Sequence, residues 1–159
     1  MTVARFLHVS AGQYAADQCL PDALPLTDIP LPRRATAGSA GYDFVCTADV
    51  ALAPGKAVTI PTGVRCEMHR DWVMMLYPRS SLGFKHQMLL ANTVGVIDSD
   101  YAYTANEGHI MVRIINGGDH MLQISRGERF CQGVFLPYGT AEEDEVLAER
   151  TGGFGSTGK

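Results

Sequence analysis

From about residue 33 to about residue 137, short apolar runs alternate with glycine- and proline-marked turns. Val58-Thr-Ile-Pro-Thr-Gly-Val-Arg reads as one strand and Trp72-Val-Met-Met-Leu-Tyr as another, closed by Pro78. Met88-Leu-Leu, His109-Ile-Met-Val-Arg-Ile-Ile and Arg129-Phe-Cys-Gln-Gly-Val-Phe-Leu continue the series. Turn signals fall between them at Pro54-Gly55, Asn116-Gly117-Gly118 and Arg126-Gly127. No long segment carries a helical period. Short strands at this spacing predict an all-β fold, a distorted jelly-roll barrel or sandwich.

Two of these strands are apolar on both faces. Trp72 to Leu76 is apolar at every position, and Phe130, Val134 and Leu136 stand opposite Cys131 and Phe135. A small sandwich usually wets one face of each strand. A second apolar face left bare would invite aggregation, so the pattern predicts a homo-oligomer. Outside the strand region, Ser10-Ala-Gly-Gln13 has the form of a capping box and predicts a short helix through Ala16. Leu20 to Pro32 carries four prolines and is expected to run extended. The organisation expected is an N-terminal extension over 1–30, a β domain over 31–140, and an acidic linker with a glycine-rich C-terminal arm over 141–159.

Composition narrows the class. Hydrophobic residues make up 46% and charged ones 19% of 159 residues, a globular balance with core enough for one domain. The net charge of −4 disfavours non-specific binding to nucleic acid or an acidic membrane surface. Cys19, Cys46, Cys66 and Cys131 are scattered without a C-x-x-C pair, so reduced, mostly buried thiols and a cytosolic-type compartment are expected. No run is long enough to span a bilayer as a helix, and no secretory leader is evident. The five histidines share no metal spacing, and His86 is read as a surface residue.

Five segments place polar residues where strands end: Ala40-Gly-Tyr-Asp43, Pro78-Arg-Ser-Ser-Leu82, Gly95-Val-Ile-Asp-Ser-Asp-Tyr101, Arg126-Gly-Glu-Arg-Phe-Cys-Gln132 and Gly152-Gly-Phe-Gly-Ser-Thr-Gly158. Singly, each passes for a turn or a surface loop. In this order and at these distances they resemble the five motifs of the trimeric dUTPase family, which hydrolyses dUTP to dUMP and pyrophosphate. The resemblance covers about residues 30–158.

The residues suit that chemistry. Arg79 and Arg129 offer planar forks for phosphate oxygens, with Ser80, Ser81 and Gln132 as further donors. Arg129 and Gln132 fall on opposite faces of an ideal strand, so a bulge is expected between them. Gly155, Ser156 and Thr157 suit an anion nest, and the resemblance implies a phosphate contact for Arg150. A Mg²⁺ ion held by phosphates and water would neutralise the remaining charge, and the resemblance puts Asp43 near it, through water. Asp98 and Asp100 are equal candidates by spacing for the base that activates the attacking water; the resemblance assigns Asp98. It also implies that Asn92 and the backbone of Gly95, Val96 and Ile97 read the uracil edge. Tyr101 would then lie beneath the sugar, Met111 form the far wall, and Phe154 stack on the base from an arm that orders over a neighbouring subunit's site.

Two features depart from the family pattern. Ala102-Tyr-Thr-Ala-Asn-Glu107 is inserted after the tyrosine, and a protein partner is one expectation for it. Arg150 stands one residue nearer the glycines than usual. A dCTP deaminase shares the fold and the Arg-Ser-Ser loop, but the intact third and fifth segments oppose that reading. A nucleotide-gated binding protein is the alternative from another class. The partners expected are dUTP and two further copies of the chain, with no nucleic acid and no membrane.

Overall fold

The computed structural model describes residues 1–144. Its strands are β1 (Ala4–His8), β2 (Arg33–Arg34), β3 (Tyr42–Val45), β4 (Val50–Leu52), β5 (Ala57–Pro61), β6 (Val64–Met68), β7 (Trp72–Pro78), β8 (Met88–Leu90), β9 (Gly95–Ile97), β10 (Met111–Asn116), β11 (Leu122–Ile124) and β12 (Arg129–Pro137). Two short helices, α1 (Ala11–Asp17) and α2 (Ser80–His86), and single 3₁₀ turns at Leu26–Asp28 and Tyr101–Tyr103 complete them.

The largest sheet runs β2-β3-β12-β7-β9, a second runs β5-β10-β8, and the pairs β1-β6 and β11-β4 close the sides. All pairings are antiparallel, in the jelly-roll manner expected. Between the sheets, Phe44, Ile60, Met74, Ile97, Ile110, Ile114, Ile124 and Phe130 are fully buried. The inward residues of β10, Val112 and Ile114, alternate with the outward Met111, Arg113 and Ile115, the period of a strand with one face on the core.

The two-faced strands behave as their sequence requires. Val73, Met74 and Leu76 enter the core while Trp72 and Met75 stay half-buried. In β12, Phe130 and Cys131 are buried and Leu136 is 40% exposed. Leu89 and Val96 also show apolar surface.

Four local expectations need correction. Val58–Arg65 is two strands, because Thr62 and Gly63 break it: β5 pairs with β10, whereas β6 turns to pair with β1. Gly63 sits at φ +71, the left-handed region open to glycine. The Arg-Ser-Ser loop is the start of α2, which ends on a left-handed Gln87 whose N–H caps Gly83 and Leu82 carbonyls. The N-terminal capping box is half formed. Gln13 N–H donates to Ser10 Oγ at 3.1 Å, but the Gln13 amide turns to Asp17. Ser10 N–H is taken instead by Glu107 at 2.7 Å. The proline-rich run also contains the 3₁₀ turn at Leu26–Asp28.

Among the described residues no helix is long and apolar enough to cross a membrane. The four cysteines are unpaired, Cys19 exposed and the other three buried.

Candidate active site

Asp43, Arg79, Arg129 and Gln132 come together at one end of the large sheet. Asp43 on β3 faces Gln132 on β12, which faces Tyr77 on β7, so Arg79 follows directly from the same edge. The register of β12 against β3 shifts between Arg129 and Cys131. This is the bulge expected from the three-residue spacing of Arg129 and Gln132. Arg79 N–H donates to Phe130 O at 3.0 Å, pinning the start of α2 to β12.

Asp43 joins the two guanidinium groups. Its Oδ1 lies 3.2 Å from Arg79 Nε, and its Oδ2 lies 3.1 Å from Arg129 NH1. The carboxylate is only 9% exposed, while both arginines reach water. One anion between two cations leaves a net positive cluster with donors to spare, suited to an anionic ligand. Ser80 and Ser81 are exposed beside it, and Gln132 Nε2 approaches Pro78 O at 3.4 Å. Burial pushes the neighbouring Cys131 thiol well above its ordinary value, so it stays neutral here.

A cavity of about 480 Å³ opens where the chain crosses from β8 in one sheet to β9 in the other. Asn92, Gly95 and Met111, all expected at the base, line it together with Leu76, Leu90, Thr59 and Arg113. An apolar pocket of this size with a few polar groups is a usual small-molecule site. Ala91 N–H donates to Arg113 O at 2.9 Å, which fixes the turn bearing Asn92 onto β10. Ile97 is buried and Val96 exposed, and neither lines the cavity. Thr59 and Arg113 were not among the residues expected there. Arg113 donates to Thr59 Oγ1 at 3.2 Å, and its alternation with Met111 along β10 is the signal that would have found it.

Asp98 and Asp100 are exposed in the turn after β9. Tyr101 N–H donates to Asp98 O at 3.2 Å. Tyr101, expected beneath the sugar, is 2% exposed and does not line the cavity. Its hydroxyl donates to His109 O at 2.7 Å and meets Asn106 Nδ2 at 3.0 Å, so within one chain it anchors the turn. His109 is fully buried. Burial lowers its pKa, against the opposing pull of Asp17 at 2.7 Å. Bonds from Ser10 N–H and Oγ hold the Glu107 carboxyl below its ordinary range.

The turn and the arginines lie toward opposite ends of β7. Ile97 pairs with Met74, whereas Arg79 follows Pro78. At about 3.3 Å per residue, Met74 and Pro78 alone are roughly 13 Å apart along the strand.

Among the described residues no three His, Cys, Asp or Glu side chains form a group able to hold a metal ion. A protein cage for Mg²⁺ is therefore not formed by them. One carboxylate beside two guanidinium groups instead fits an ion that arrives with its own phosphate and water ligands. Arg150, Phe154, Gly155, Ser156 and Thr157 lie outside the described residues.

Comparison with known proteins identifies the family. The family model for dUTPase matches residues 27–158. A deoxyuridine 5'-triphosphate nucleotidohydrolase of Lactococcus lactis is 46% identical over 133 residues, covering 82% of this chain and 89% of that protein. One from Photorhabdus laumondii is 43% identical over 140 residues, covering 83% and 89%. Among solved structures, the dUTPase from Streptococcus mutans is 37% identical with a TM-score of 0.66, covering 79% of this chain and 97% of that one. The dUTPase from phage phi11 of S. aureus shares the fold, with a TM-score of 0.68 at 20% identity, over 92% and 97% of the two chains.

Proposed function

The chain belongs to the dUTPase family and is a dUTP diphosphatase, and we propose the following division of labour among its residues. Asn92, Met111 and the backbone of Gly95, Val96 and Ile97 receive the uracil in the cavity beside β9. A site that pairs with the uracil edge leaves buried groups unpaired when cytosine enters, which is a strong rejection. Arg79, Arg129, Gln132, Ser80 and Ser81 hold the phosphates. Asp98 orients and deprotonates a water that attacks the α-phosphorus. The bond from that phosphorus to the bridging oxygen breaks, pyrophosphate leaves, and the water's proton passes to Asp98. Tyr101 belongs to the sugar side of this site, where it acts by anchoring the turn.

Mg²⁺, held by the triphosphate and water, would supply charge neutralisation on the phosphates. Asp43 would face its water shell while keeping the two guanidinium forks side by side. Arg150, Gly155, Ser156 and Thr157 are assigned to the phosphates and Phe154 to the face of the base. Base–aromatic stacking is worth about 1–3 kcal/mol.

The working unit in this reading is a homotrimer. The opposite placement of Asp98 and the arginines along β7 favours a site shared between subunits. Exposed Leu89, Val96 and Leu136 supply apolar surface for such contacts. A protein partner at the inserted residues would meet the exposed Tyr103 first, because Ala102 and Thr104 are buried.

The observation that carries this reading is the cavity lined jointly by Asn92, Gly95 and Met111. The test is pyrophosphate release from dUTP, dCTP, dTTP and UTP with Mg²⁺, beside an Asp98→Asn variant. Release from dUTP alone, abolished by the substitution, is expected. Release that survives it moves the base to Asp100.

A further inference from the structure

Residues 1–30 and the inserted residues 102–107 lie outside the motifs that the reaction uses, yet α1 is held at one end by the insertion and at the other by His109, two residues beyond it. At its start, Ser10 N–H and Oγ both donate to the Glu107 carboxylate at 2.7 Å. At its last residue, Asp17 Oδ2 lies 2.7 Å from His109 Nδ1. The other ring nitrogen, Nε2, accepts Gly63 N–H at 2.8 Å. An acceptor at Nε2 leaves the proton on Nδ1, so His109 donates to Asp17.

From His109 the chain of contacts reaches the reacting turn. Its carbonyl accepts the Tyr101 hydroxyl at 2.7 Å, and Tyr101 N–H holds Asp98 O at 3.2 Å. Thr104 Oγ1 bonds both Tyr101 O and Asn106 Oδ1, and Asn106 Nδ2 returns to the Tyr101 hydroxyl. Gly108 closes the loop against Tyr101 and Ala102 so tightly that an added Cβ would lie 2.5 Å from Ala102 Cα. The hydrogen bonds along this path run from 2.7 to 3.2 Å.

We propose that α1 is a clamp on the catalytic turn, with Asp17 and Glu107 as positioning residues that act through His109 and Tyr101 to fix Asp98. The inference rests on Asp98 being the base. A base must stay within hydrogen-bond reach of its water, and a displacement of about 1 Å can cost on the order of a hundredfold in rate. The cavity is fixed separately, by the bond from Ala91 to Arg113. Loosening the clamp therefore acts on kcat and leaves KM.

The experiment measures kcat and KM for dUTP in the full-length protein, at a temperature where circular dichroism shows each variant folded. Asp17→Ala and Glu107→Ala are expected to lower kcat about tenfold with KM within about twofold. Asp17→Asn, whose amide oxygen still accepts from His109, restores most of the rate. Leu24→Ala thins the packing of the N-terminal segment without touching the network, and it leaves kcat unchanged. Equal kcat in Asp17→Ala, Glu107→Ala and Leu24→Ala would reduce α1 to a structural brace and overturn the clamp. If Asp17→Ala does not fold, Glu107→Ala against Leu24→Ala carries the same comparison. An Asp98→Asn variant with wild-type kcat overturns the base assignment and the clamp together. An inactive Asp98→Asn beside fully active clamp variants overturns the clamp alone.

Discussion

Gly41 lies so close under the side chain of Gln132 that a Cβ at position 41 would overlap the amide group. The second residue of the Ala40-Gly-Tyr-Asp43 segment thus makes room for Gln132, the phosphate donor proposed in the fourth. Gly41→Ala is expected to push Gln132 aside. The group displaced is the end of a flexible side chain, so stability should hardly change. Loss of a hydrogen bond to a charged phosphate is worth about 1.5–3 kcal/mol, so kcat/KM for dUTP should fall at least about tenfold. Steady-state kinetics beside a thermal melt checks it; an unaltered kcat/KM removes Gln132 from the phosphate site.

How much of this was legible in the sequence differs from residue to residue. The bulge in β12 followed from Arg129 and Gln132 standing three apart, because a strand's period is two. The break at Thr62 and Gly63 did not follow, since the apolar pattern continues while the hydrogen-bonding partner changes from β10 to β1. His109 was passed over because histidines were weighed for metal spacing. Its partners Asp17 and Gly63 lie 92 and 46 positions away, and no local pattern reports such contacts. Asn92, Gly95 and Met111 were expected from the family resemblance, whereas nothing in it pointed to Thr59 and Arg113 in the same cavity.

Gly63 is a second position where a side chain is excluded. Its φ of +71 costs an L-residue roughly 1–2 kcal/mol. A methyl group there would also approach Ile29 Cδ1 at 2.8 Å and Leu26 Cδ1 at 3.0 Å. Gly63→Ala should therefore lower unfolding free energy by about 1–3 kcal/mol. Urea denaturation checks this, and an unchanged midpoint would mean that the β5–β6 break tolerates an ordinary residue.

The thiols give a chemical test of the core. Burial pushes Cys46 up to about 11 and Cys66 up to about 12, and Cys131 also lies well above its ordinary value. The thiolate is the reactive form, so these three should resist alkylation at pH 8 in the native protein. Cys19 is exposed and should react alone. Mass spectrometry after brief iodoacetamide treatment should find one adduct natively and four in denaturant. Rapid native labelling of Cys46 or Cys66 would contradict the packing of the β domain.

Acidity should act on the fold through His109. Burial lowers its pKa below the ordinary 6.5, with Asp17 opposing. The native state then binds fewer protons than the unfolded chain in the window below 6.5. The stability carried by the neutral ring is complete above that value and is lost as pH falls through the lowered native one. A single proton limits the slope to about 1.4 kcal/mol per pH unit. Glu107, also lowered, adds a loss that starts only below its ordinary 4.5. Wild-type melting temperature should therefore fall between pH 7 and 5, and His109→Gln, which has no proton to gain, should be flatter over the same range. Parallel curves for the two proteins would mean that His109 does not titrate with unfolding, and the acid loss would then have to come from other groups.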